Sequence, residues 1–413
     1  MIAMISVAKS VAIFFEIDAL EPILKVLSIT FLVGALGLIQ KSLFNRAVDF
    51  KTIASVEITG ILFYGVISIV LAILGFGVWS IVYGTMANHI VTTILFYFKS
   101  DWKPKISFYY EKFQSNIKFG INVFGTNLVN YFYRNLVSFV TGKFLGTSSL
   151  GVYTLANNIT AQTIGRLSFI IGRVMFPTMS KIQNDHERFA NAYLKVVYLL
   201  ALISFPFLVG VTVLAKPLVL VFFGEKWSGS IFPIQVLAIV GMLRSINGTI
   251  NFILLAKGRS DIEFKWNIFY IFVLSGMLLL TIRHGLNTLV MGIFVISLIG
   301  APIIQKITFS LIDLTLWKVY KSLSVIFISS VLMGIIVYGF SIFAGKYISN
   351  IMVLIISGIL GAGLFIGFMI VLDYNRLKEF KISLSESIFG KKIGDIKEVV
   401  RGKRFSNGKC DLF

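Results

Sequence analysis

Apolar segments long enough to cross a lipid bilayer recur along almost the whole chain. A transmembrane helix needs about 20 apolar residues, and a backbone in hydrocarbon must pair all of its own hydrogen-bonding groups. Of the 413 residues 57% are hydrophobic, and the mean hydropathy is +0.88. The sequence therefore predicts an all-α polytopic membrane protein with about 12 transmembrane helices. The segments occupy approximately 1–14 (too short to be whole), 22–42, 53–74, 77–98, 117–140, 149–172, 191–215, 231–256, 265–283, 287–305, 323–345 and 351–372.

The basic residues are distributed asymmetrically about these segments. The chain carries 38 Lys and Arg against 19 Asp and Glu, a formal net charge of +19. Most of the basic residues fall in every second loop and in the tail after residue 373. Cytoplasmic loops of membrane proteins accumulate Lys and Arg, so the pattern predicts that 100–116 and the tail are cytoplasmic and that 216–230 face outward. Membrane topology explains the charge without a nucleic-acid partner, and the basic tail is expected to attract anionic membrane lipid.

Two loop segments resemble each other and indicate an internal repeat. LFNRAVDFK (43–51) and LAKGRSDIEFK (255–265) each close one apolar segment and open the next. They lie about 214 residues apart with six segments between equivalent points, and an even number of crossings keeps the orientation, which predicts two parallel pseudo-symmetric six-helix lobes. The first lobe is about 95 residues shorter than this repeat requires, so we expect it to be incomplete and 14 helices to make up the whole. Chance similarity of basic and aromatic loop residues is the alternative.

The repeat and the loop composition predict the domain organisation. The connector combines Trp102 and other aromatic residues with lysines, a composition typical of a helix at the membrane surface, although a solvated loop is the alternative. The predicted parts are an incomplete N-terminal lobe (1–98), a cytoplasmic interfacial connector (99–116), a C-terminal six-helix lobe (117–310), two additional transmembrane helices (311–373) and a basic cytoplasmic tail (374–413).

Three groups of polar residues lie inside apolar segments. An arginine at the membrane centre costs at least about 2.5–3.5 kcal/mol, so such residues are expected to face a water-filled cavity or a partner. The alternative is that they extend to the membrane surface or tie helices together. The groups are Asn127, Asn130 and Arg134, then Gln162 and Arg166, then Arg244, Asn247 and Asn251, with the first and third groups spaced i, i+3, i+7 along one helix face.

Few residues suggest other chemistry. Glu57 is predicted to lie well inside a segment, where it would pair with an arginine or carry a coupling proton. Cys410 is the one cysteine, and the three histidines have no metal-ligand spacing, so neither a metal nor another cofactor is predicted. No phosphate-binding loop or nucleophile motif occurs.

Several motifs together resemble the polysaccharide flippases of the MOP superfamily, closest to the Wzx-type and colanic-acid-exporter-like branch. The resemblance covers about residues 14 to 310. The motifs are FGEKW (223–227), GKFLGTSSLGVYTLA (142–156), RVMFPTMSKIQND (173–185), NRAVDFK (45–51) and GFGVW (75–79).

The resemblance implies a transporter of the bacterial cytoplasmic (inner) membrane and not an enzyme. Its members move undecaprenyl-diphosphate-linked oligosaccharides to the outer leaflet for O-antigen, capsule or exopolysaccharide synthesis, using two six-helix lobes and two further helices. Expected partners are the lipid-diphosphate-linked oligosaccharide, a polysaccharide polymerase and chain-length machinery. Relatives often carry an aspartate where this chain has Val137, which puts proton or sodium coupling through that carboxylate in doubt.

Arginine suits a diphosphate because its planar fork binds oxygen atoms in pairs, whereas amide side chains suit sugar hydroxyls. Two alternatives stay open at this point. A MATE-like small-molecule exporter would share the fold with a different cargo, which several cavity arginines disfavour because drugs of that group are cationic. A membrane-embedded polymerase or glycosyltransferase would need catalytic side chains in a large loop, and 216–230 lacks paired carboxylates.

Overall fold

The structure, a computed structural model, describes the backbone of residues 1–47, 49–102, 110–162, 164–165, 179, 182 and 185–389, without the side chains of 110–116, 118–119, 122–123, 126, 162 and 374–389. Regular structure in the described residues is helical throughout, which confirms the all-α prediction. The chain forms two compact units, Met1–Tyr131 and Phe132–Phe413. Each unit is described by itself below.

The first unit contains four complete helices and the start of a fifth. Asp49 caps the N-terminus of helix α3 (Phe50–Ile73), because its Oδ1 accepts a hydrogen bond from the Thr52 backbone N–H at 3.0 Å. This hydrogen bond holds the pKa of the Asp49 carboxyl below its usual range. The helices are α1 (Ile2–Phe15), α2 (Leu20–Arg46), α3 (Phe50–Ile73), α4 (Val78–Lys99) and α5 (Tyr110–Phe144), which continues into the second unit.

Helix α4 packs against both α2 and α3 through small side chains. The Thr93 hydroxyl donates a hydrogen bond to the Val33 carbonyl on α2 at 3.0 Å. On α3, Gly60 faces Asn88 and Thr92 so closely that a Cβ atom there would collide with both side chains. In the most apolar 18-residue stretches of α2 and α3, only 11% of the residues are buried. Close contact at small residues therefore holds these helices together while their remaining faces are available to lipid.

The second unit contains the remaining helices and has the larger core. Residues 248 and 249 form a turn between α9 (Ile231–Asn247) and α10 (Ile250–Ala256). After the end of α5 come α6 (Gly146–Asn157), a π-helical turn (Asn158–Gln162), α7 (His186–Val213), α8 (Ala215–Phe222), a 3₁₀ turn (Glu225–Ser230), α9 (Ile231–Asn247), α10 (Ile250–Ala256), α11 (Ser260–Thr281), α12 (Leu286–Phe309), α13 (Leu316–Ala344) and α14 (Asn350–Phe389).

Helices α7 and α9 form the centre of this unit. In the most apolar 18-residue stretch of α7, 56% of the residues are buried. The corresponding share is 61% for the segment Glu225–Ala256, which contains α9. Helix α7 contacts α9 and α13, and α9 also contacts α12. The fully buried ring of Tyr193 on α7 lies 5.4 Å from that of Phe309 on α12. Helices α7 and α9 are apolar on most sides, as expected for helices that other helices surround.

The membrane-spanning prediction is confirmed in its main features. Among the described residues, nine helical segments are long and apolar enough to cross a membrane, and α1 is a shorter apolar helix. Helix α5 covers the predicted segment 117–140, and α6 with the π-helical turn covers the part of segment 149–172 up to residue 162. Residues 163 and 166–172 lie outside the described residues. The division into an incomplete lobe, connector, second lobe, two further helices and tail stays a prediction.

One predicted segment is not a continuous helix. The segment 231–256 is broken into α9 and α10 at Gly248 and Thr249. The Gly248 N–H donates to the Arg244 carbonyl at 2.9 Å, but the Thr249 N–H donates to Ile246, three residues back, at 3.1 Å. The Thr249 hydroxyl then joins that of Tyr193 at 2.8 Å. Gly248 and Thr249 keep right-handed helical backbone angles, with φ of −60° and −89°, and the common face of Arg244, Asn247 and Asn251 stays a prediction.

The connector and the tail each contain helix. Helix α5 begins at Tyr110, inside the predicted connector 99–116, of which residues 103–109 lie outside the described residues. Helix α14 continues past residue 373 as far as Phe389, with a non-helical backbone at Asp373 (φ −145°). The last predicted transmembrane helix, 351–372, therefore continues past a kink at Asp373 into the region predicted as the tail.

Substitution of Gly60 by alanine tests the close packing of α3 on α4. The added methyl group would overlap Thr92 and Asn88, and overpacking of this kind typically costs about 1–3 kcal/mol. We expect Gly60→Ala to lower the thermal unfolding midpoint of the purified protein. Gly65→Ala on the same helix is the matched control, because a Cβ atom there has nothing within 4 Å. Equal midpoints for the two variants would contradict this packing.

Candidate functional site

Two tyrosine rings bring α5 and α11 together in the second unit. The ring centroids of Tyr133 and Tyr270 lie 5.8 Å apart at an interplanar angle of 65°. Arg134 follows Tyr133 directly, and its side chain is exposed. The charges of Arg134 and Arg244 both act on the Tyr133 hydroxyl. Two of the three predicted arginines therefore lie near one tyrosine, although they come from helices more than a hundred residues apart in the chain.

Helix α9 presents Arg244 to the end of α6. An Nη1 hydrogen of Arg244 is donated to Asn157 Oδ1 over 3.4 Å, a long hydrogen bond between partly buried groups. Tyr153 lies one turn before Asn157 on the same face of α6, is buried, and is also within reach of the Arg244 charge. A π-helical turn begins directly after Asn157. Such turns are rare and often occur at functional sites.

A carboxylate completes this group of side chains. Glu263, in the first turn of α11, accepts a hydrogen bond from the Asn251 side chain and lies within range of the Arg134 charge. It is partly buried, whereas Asn251 is exposed. We call the group the arginine–tyrosine cluster. Its members are Tyr133, Arg134, Tyr153, Asn157, Arg244, Asn251, Glu263 and Tyr270.

Glu263 was not among the predicted site residues, because hydropathy placed the start of its segment at residue 265, after the carboxylate. The structure begins α11 at Ser260. Gly258, with φ of 67°, ends the preceding helix, and acidic residues then fill the first turn of α11. A glycine followed by acidic residues is typical of a helix end and a new helix start, so this signal was available in the sequence.

Asn247 belongs to a different set of hydrogen bonds. Gln305 on α12 is fully buried and donates from Nε2 to Asn247 Oδ1 at 2.8 Å. The Tyr320 hydroxyl on α13 donates to Gln305 Oε1 at 2.6 Å. The chain Asn247–Gln305–Tyr320 joins α9, α12 and α13. Asn247 and Asn251 therefore have different partners, one on α12 and the other on α11.

The other predicted site residues are placed as follows. Glu57 forms an ion pair with Lys41 at 2.7 Å, within the first unit, and both side chains are partly exposed. Asn127 and Asn130 lie on α5 in the first unit. Gln162 ends the π-helical turn, without a described side chain, and Arg166 lies outside the described residues.

The cluster has the composition of an anion site. It contains two guanidinium groups against one carboxylate, together with phenol and amide groups that donate or accept hydrogen bonds. Arginine stays charged at all relevant pH values and binds carboxylate or phosphate oxygens in pairs. Among the residues that the structure describes, no three His, Cys, Asp or Glu side chains form a group that could hold a metal ion.

The fold and the cluster define a multi-pass helical membrane protein with a basic polar site among its helices. The chain belongs to the family described as polysaccharide biosynthesis protein, whose profile matches residues 1–232. It is a protein of the bacterial cytoplasmic membrane, as its membrane-length helices and its relatives indicate.

Two curated relatives illustrate the membership. The lipopolysaccharide biosynthesis protein WzxC of Escherichia coli (strain K12) is 33% identical over 256 residues, which cover 62% of this chain and 52% of WzxC. The teichuronic acid biosynthesis protein TuaB of Bacillus subtilis (strain 168) is 27% identical over 338 residues, which cover 80% of this chain and 69% of TuaB. The chain thus spans about half the length of WzxC.

A solved structure confirms the type of fold. The lipid II flippase MurJ, in its inward closed conformation, superposes with a TM-score of 0.69 over 87% of this chain and 75% of the MurJ chain, at 16% identity. The predicted polytopic helical membrane fold is confirmed by this likeness.

Alanine substitutions at Asn247 and Asn251 test the separation of the two hydrogen-bonded sets. Asn247→Ala removes the acceptor of the buried Gln305 amide, and an unsatisfied buried donor costs about 1–3 kcal/mol. Asn251 is exposed, so Asn251→Ala should change stability by no more than about 0.5 kcal/mol. The thermal unfolding midpoint of the purified protein is the measurement, and Tyr320→Phe should resemble Asn247→Ala. A larger loss from Asn251→Ala would contradict the assignment.

Proposed function

We propose that this chain is part of a flippase that moves undecaprenyl-diphosphate-linked oligosaccharides across the cytoplasmic membrane by alternating access. The product would serve O-antigen, capsule or exopolysaccharide synthesis. The observation that carries the proposal is the arginine–tyrosine cluster, in which the charges of Arg134 and Arg244 both act on Tyr133 in a polysaccharide biosynthesis protein. The cargo and the transport step are both parts of this proposal.

The charge of the cluster fits a lipid diphosphate better than other cargo. A diphosphate presents several charged oxygens on a narrow headgroup, and two arginine forks supply paired donors to such oxygens. Hydrogen bonds to charged groups contribute about 1.5–3 kcal/mol, roughly twice the value of neutral ones. A cationic small molecule, the cargo of a MATE-like exporter, would meet two positive charges and one negative charge.

The remaining groups of the cluster suit a sugar. Asn157 and Asn251 offer amide donors and acceptors, and the tyrosine hydroxyls offer both. The aromatic rings of Tyr133 and Tyr270 provide apolar faces of the kind that pack on sugar rings. We assign Arg134 and Arg244 to the diphosphate, and the amide and hydroxyl groups to the first sugar.

The position of the cluster supports loading from the inner leaflet. Arg244 is in the last turn of α9, and Glu263 is in the first turn of α11. The loop between α10 and α11 carries Lys257 and Arg259, and by the positive-inside rule such loops are cytoplasmic. A headgroup made in the cytoplasm would reach the cluster after a short movement along the membrane surface.

No catalytic role is proposed for these side chains, and no cofactor. The Lys41–Glu57 ion pair favours a structural role for Glu57 over proton transfer, because its carboxylate already contacts a neighbouring side chain. Coupling of transport to protons or sodium, and contacts with a polysaccharide polymerase and chain-length machinery, belong to the proposal as further expectations.

Binding of undecaprenyl diphosphate to the purified chain tests the proposal. In nanodiscs of neutral lipid, native mass spectrometry should detect the diphosphate but not undecaprenol. Arg134→Ala and Arg244→Ala should each weaken binding about ten- to a hundredfold, and the lysine variants should recover part of it, because lysine keeps the charge without the fork.

Arg283→Ala is the matched control, since Arg283 is exposed in the 3₁₀ turn at the far end of α11. Binding equal to wild type in Arg134→Gln and Arg244→Gln would overturn the assignment. In the source strain, surface polysaccharide per copy of protein should follow the same order of variants.

Cysteine labelling tests the proposed orientation. In a Cys410→Ser background, single cysteines replace Ser228, in the 3₁₀ turn before α9, and Ser310, directly after α12. Both positions are exposed. An impermeant thiol reagent added to intact cells should label position 228 but not position 310, because the loops around Ser310 carry the excess of lysine. The opposite labelling would reverse the orientation and place the cluster toward the outer leaflet.

A further inference from the structure

Helix α11 carries a row of residues that faces the interior of the second unit. Leu274 and Leu278 in this row are only 4% and 1% exposed and belong to the core. Phe272 and Leu279, on the opposite side of the helix, are 73% and 69% exposed. We call the row the inner row of α11. Its members, spaced i, i+4, i+7, i+11 and i+15, are Glu263, Asn267, Tyr270, Leu274 and Leu278.

The inner row changes character along its length. The two leucines are buried, but Glu263, Asn267 and Tyr270 keep partial exposure although they face the same way. Glu263 and Tyr270 also belong to the arginine–tyrosine cluster. The polar half of the inner row is therefore open to a ligand on the side where the cluster lies.

Asn267 is the polar residue of the inner row that no contact within the protein explains. Its amide has no hydrogen bond to any residue that the structure describes. The amide offers two donor hydrogens and an acceptor oxygen, and an unpaired amide on the inner side of a membrane helix costs free energy. Asn267 therefore needs a partner from outside the described chain.

Trp266 lies beside Asn267 and packs against α12. A Cβ atom at Gly300 would lie 3.6 Å from Trp266 Cζ2 and 3.7 Å from Tyr270 Cε2, so both rings rest on this glycine. The ring centroids of Trp266 and Tyr270 are 6.3 Å apart at an interplanar angle of 39°. The Tyr133 ring on α5 supports Tyr270 from the other side at 5.8 Å. Trp266 is itself only partly buried, so these rings form an accessible aromatic surface next to the Asn267 amide.

We propose that Trp266 and Asn267 bind the first sugar of the carrier-linked oligosaccharide. The sugar ring stacks on the indole, and its hydroxyl groups form hydrogen bonds with the amide. This inference rests on the function proposed above and adds two residues from outside the arginine–tyrosine cluster. The first sugar is joined directly to the diphosphate, so its subsite must adjoin the cluster. Tyr270 provides that continuity, because it belongs to the cluster and contacts Trp266.

The chemistry of these groups favours a sugar over the other parts of the cargo. A sugar ring presents C–H bonds on its faces and hydroxyl groups at its edge. The negative face of an aromatic ring attracts such C–H bonds, and an amide both donates to and accepts from hydroxyl groups. The polyprenyl tail would leave the amide unpaired, and the diphosphate is better served by arginine.

Binding of carrier lipids with and without a sugar tests this subsite. The probes are undecaprenyl diphosphate and the same carrier bearing one glucose, one galactose or one N-acetylglucosamine, each titrated into nanodiscs of neutral lipid that hold the full chain. Native mass spectrometry gives the dissociation constants. We call the ratio of the constant without the sugar to that with it the sugar increment. At least one sugar should strengthen binding to the wild type about tenfold.

Variants at the two residues should lower the sugar increment alone. Asn267→Ala and Trp266→Ala should each reduce it about three- to tenfold, because each removes a contact that only the sugar makes, and should change binding of undecaprenyl diphosphate less than about twofold. Trp266→Phe keeps an aromatic face and should keep most of the increment. Asn267→Leu keeps the volume without the hydrogen-bonding groups, and it serves if the alanine variant does not fold.

Phe272→Ala and Asn287→Ala are the matched controls. Phe272 is exposed on the opposite side of α11, and Asn287 is exposed near the start of α12. Neither substitution should change the binding of any carrier.

An unchanged sugar increment in Asn267→Ala, Asn267→Leu and Trp266→Ala would overturn the subsite, whether the carriers bind as in the wild type or are all weakened equally. A wild type that binds undecaprenyl diphosphate and the three sugar-bearing carriers equally well would overturn it too. Both results would leave the proposed function standing. A wild type that binds none of the carriers would instead contradict the proposed function.

Discussion

A guanidinium group among membrane helices must find negative or polar partners, because hydrocarbon solvates a charge very poorly. This constraint organises the second unit. Arg134 and Arg244 come from distant parts of the sequence, yet they lie near the same tyrosine, with Asn157 and Glu263 beside them. A packing interaction between Tyr133 and Tyr270 brings two of the contributing helices into contact. The first unit meets the same constraint more simply, since its pair of Lys41 and Glu57 neutralises both charges.

The two units differ in how their helices find stability. In the first unit α2, α3 and α4 touch at small residues, and most of each apolar window remains on the surface. Lipid tails are as apolar as leucine, so burying leucine between helices gains little in a membrane, and close backbone approach matters more. In the second unit α7 and α9 are surrounded by other helices, and large side chains such as Tyr193 and Phe309 fill the centre. The polar cluster thus lies beside a well-packed scaffold.

Hydropathy predicted the membrane helices well because the thickness of a bilayer fixes the length of an apolar segment. The same signal could not show the turn at Gly248 and Thr249, since an apolar segment continues on both sides of it. Nor could it place Glu263, because a polar residue at a helix start lowers the local hydropathy and moves the predicted boundary past it. Helical spacing placed Arg244 and Asn247 about one turn apart on α9, but spacing along one helix does not reveal what each side chain meets on its neighbours. Those partners depend on tertiary packing, which the spacing of residues along a helix does not specify.

The turn after α9 separates two sets of polar groups with different physical requirements. Before the turn, Asn247 joins Gln305 and Tyr320 in hydrogen bonds of 2.6–2.8 Å around a fully buried amide, a set whose members satisfy one another. After the turn, the exposed Asn251 side chain donates a hydrogen bond to Glu263, whose carboxylate also lies within range of the Arg134 charge. A fully satisfied buried network rigidifies the helices that it joins, because breaking any bond leaves an unpaired group in a low dielectric. A site that binds and then releases a ligand needs the opposite property, namely partners that can be replaced at little cost. Asn247 and Asn251 lie only four residues apart, so the rigid network and the candidate site meet within one apolar segment.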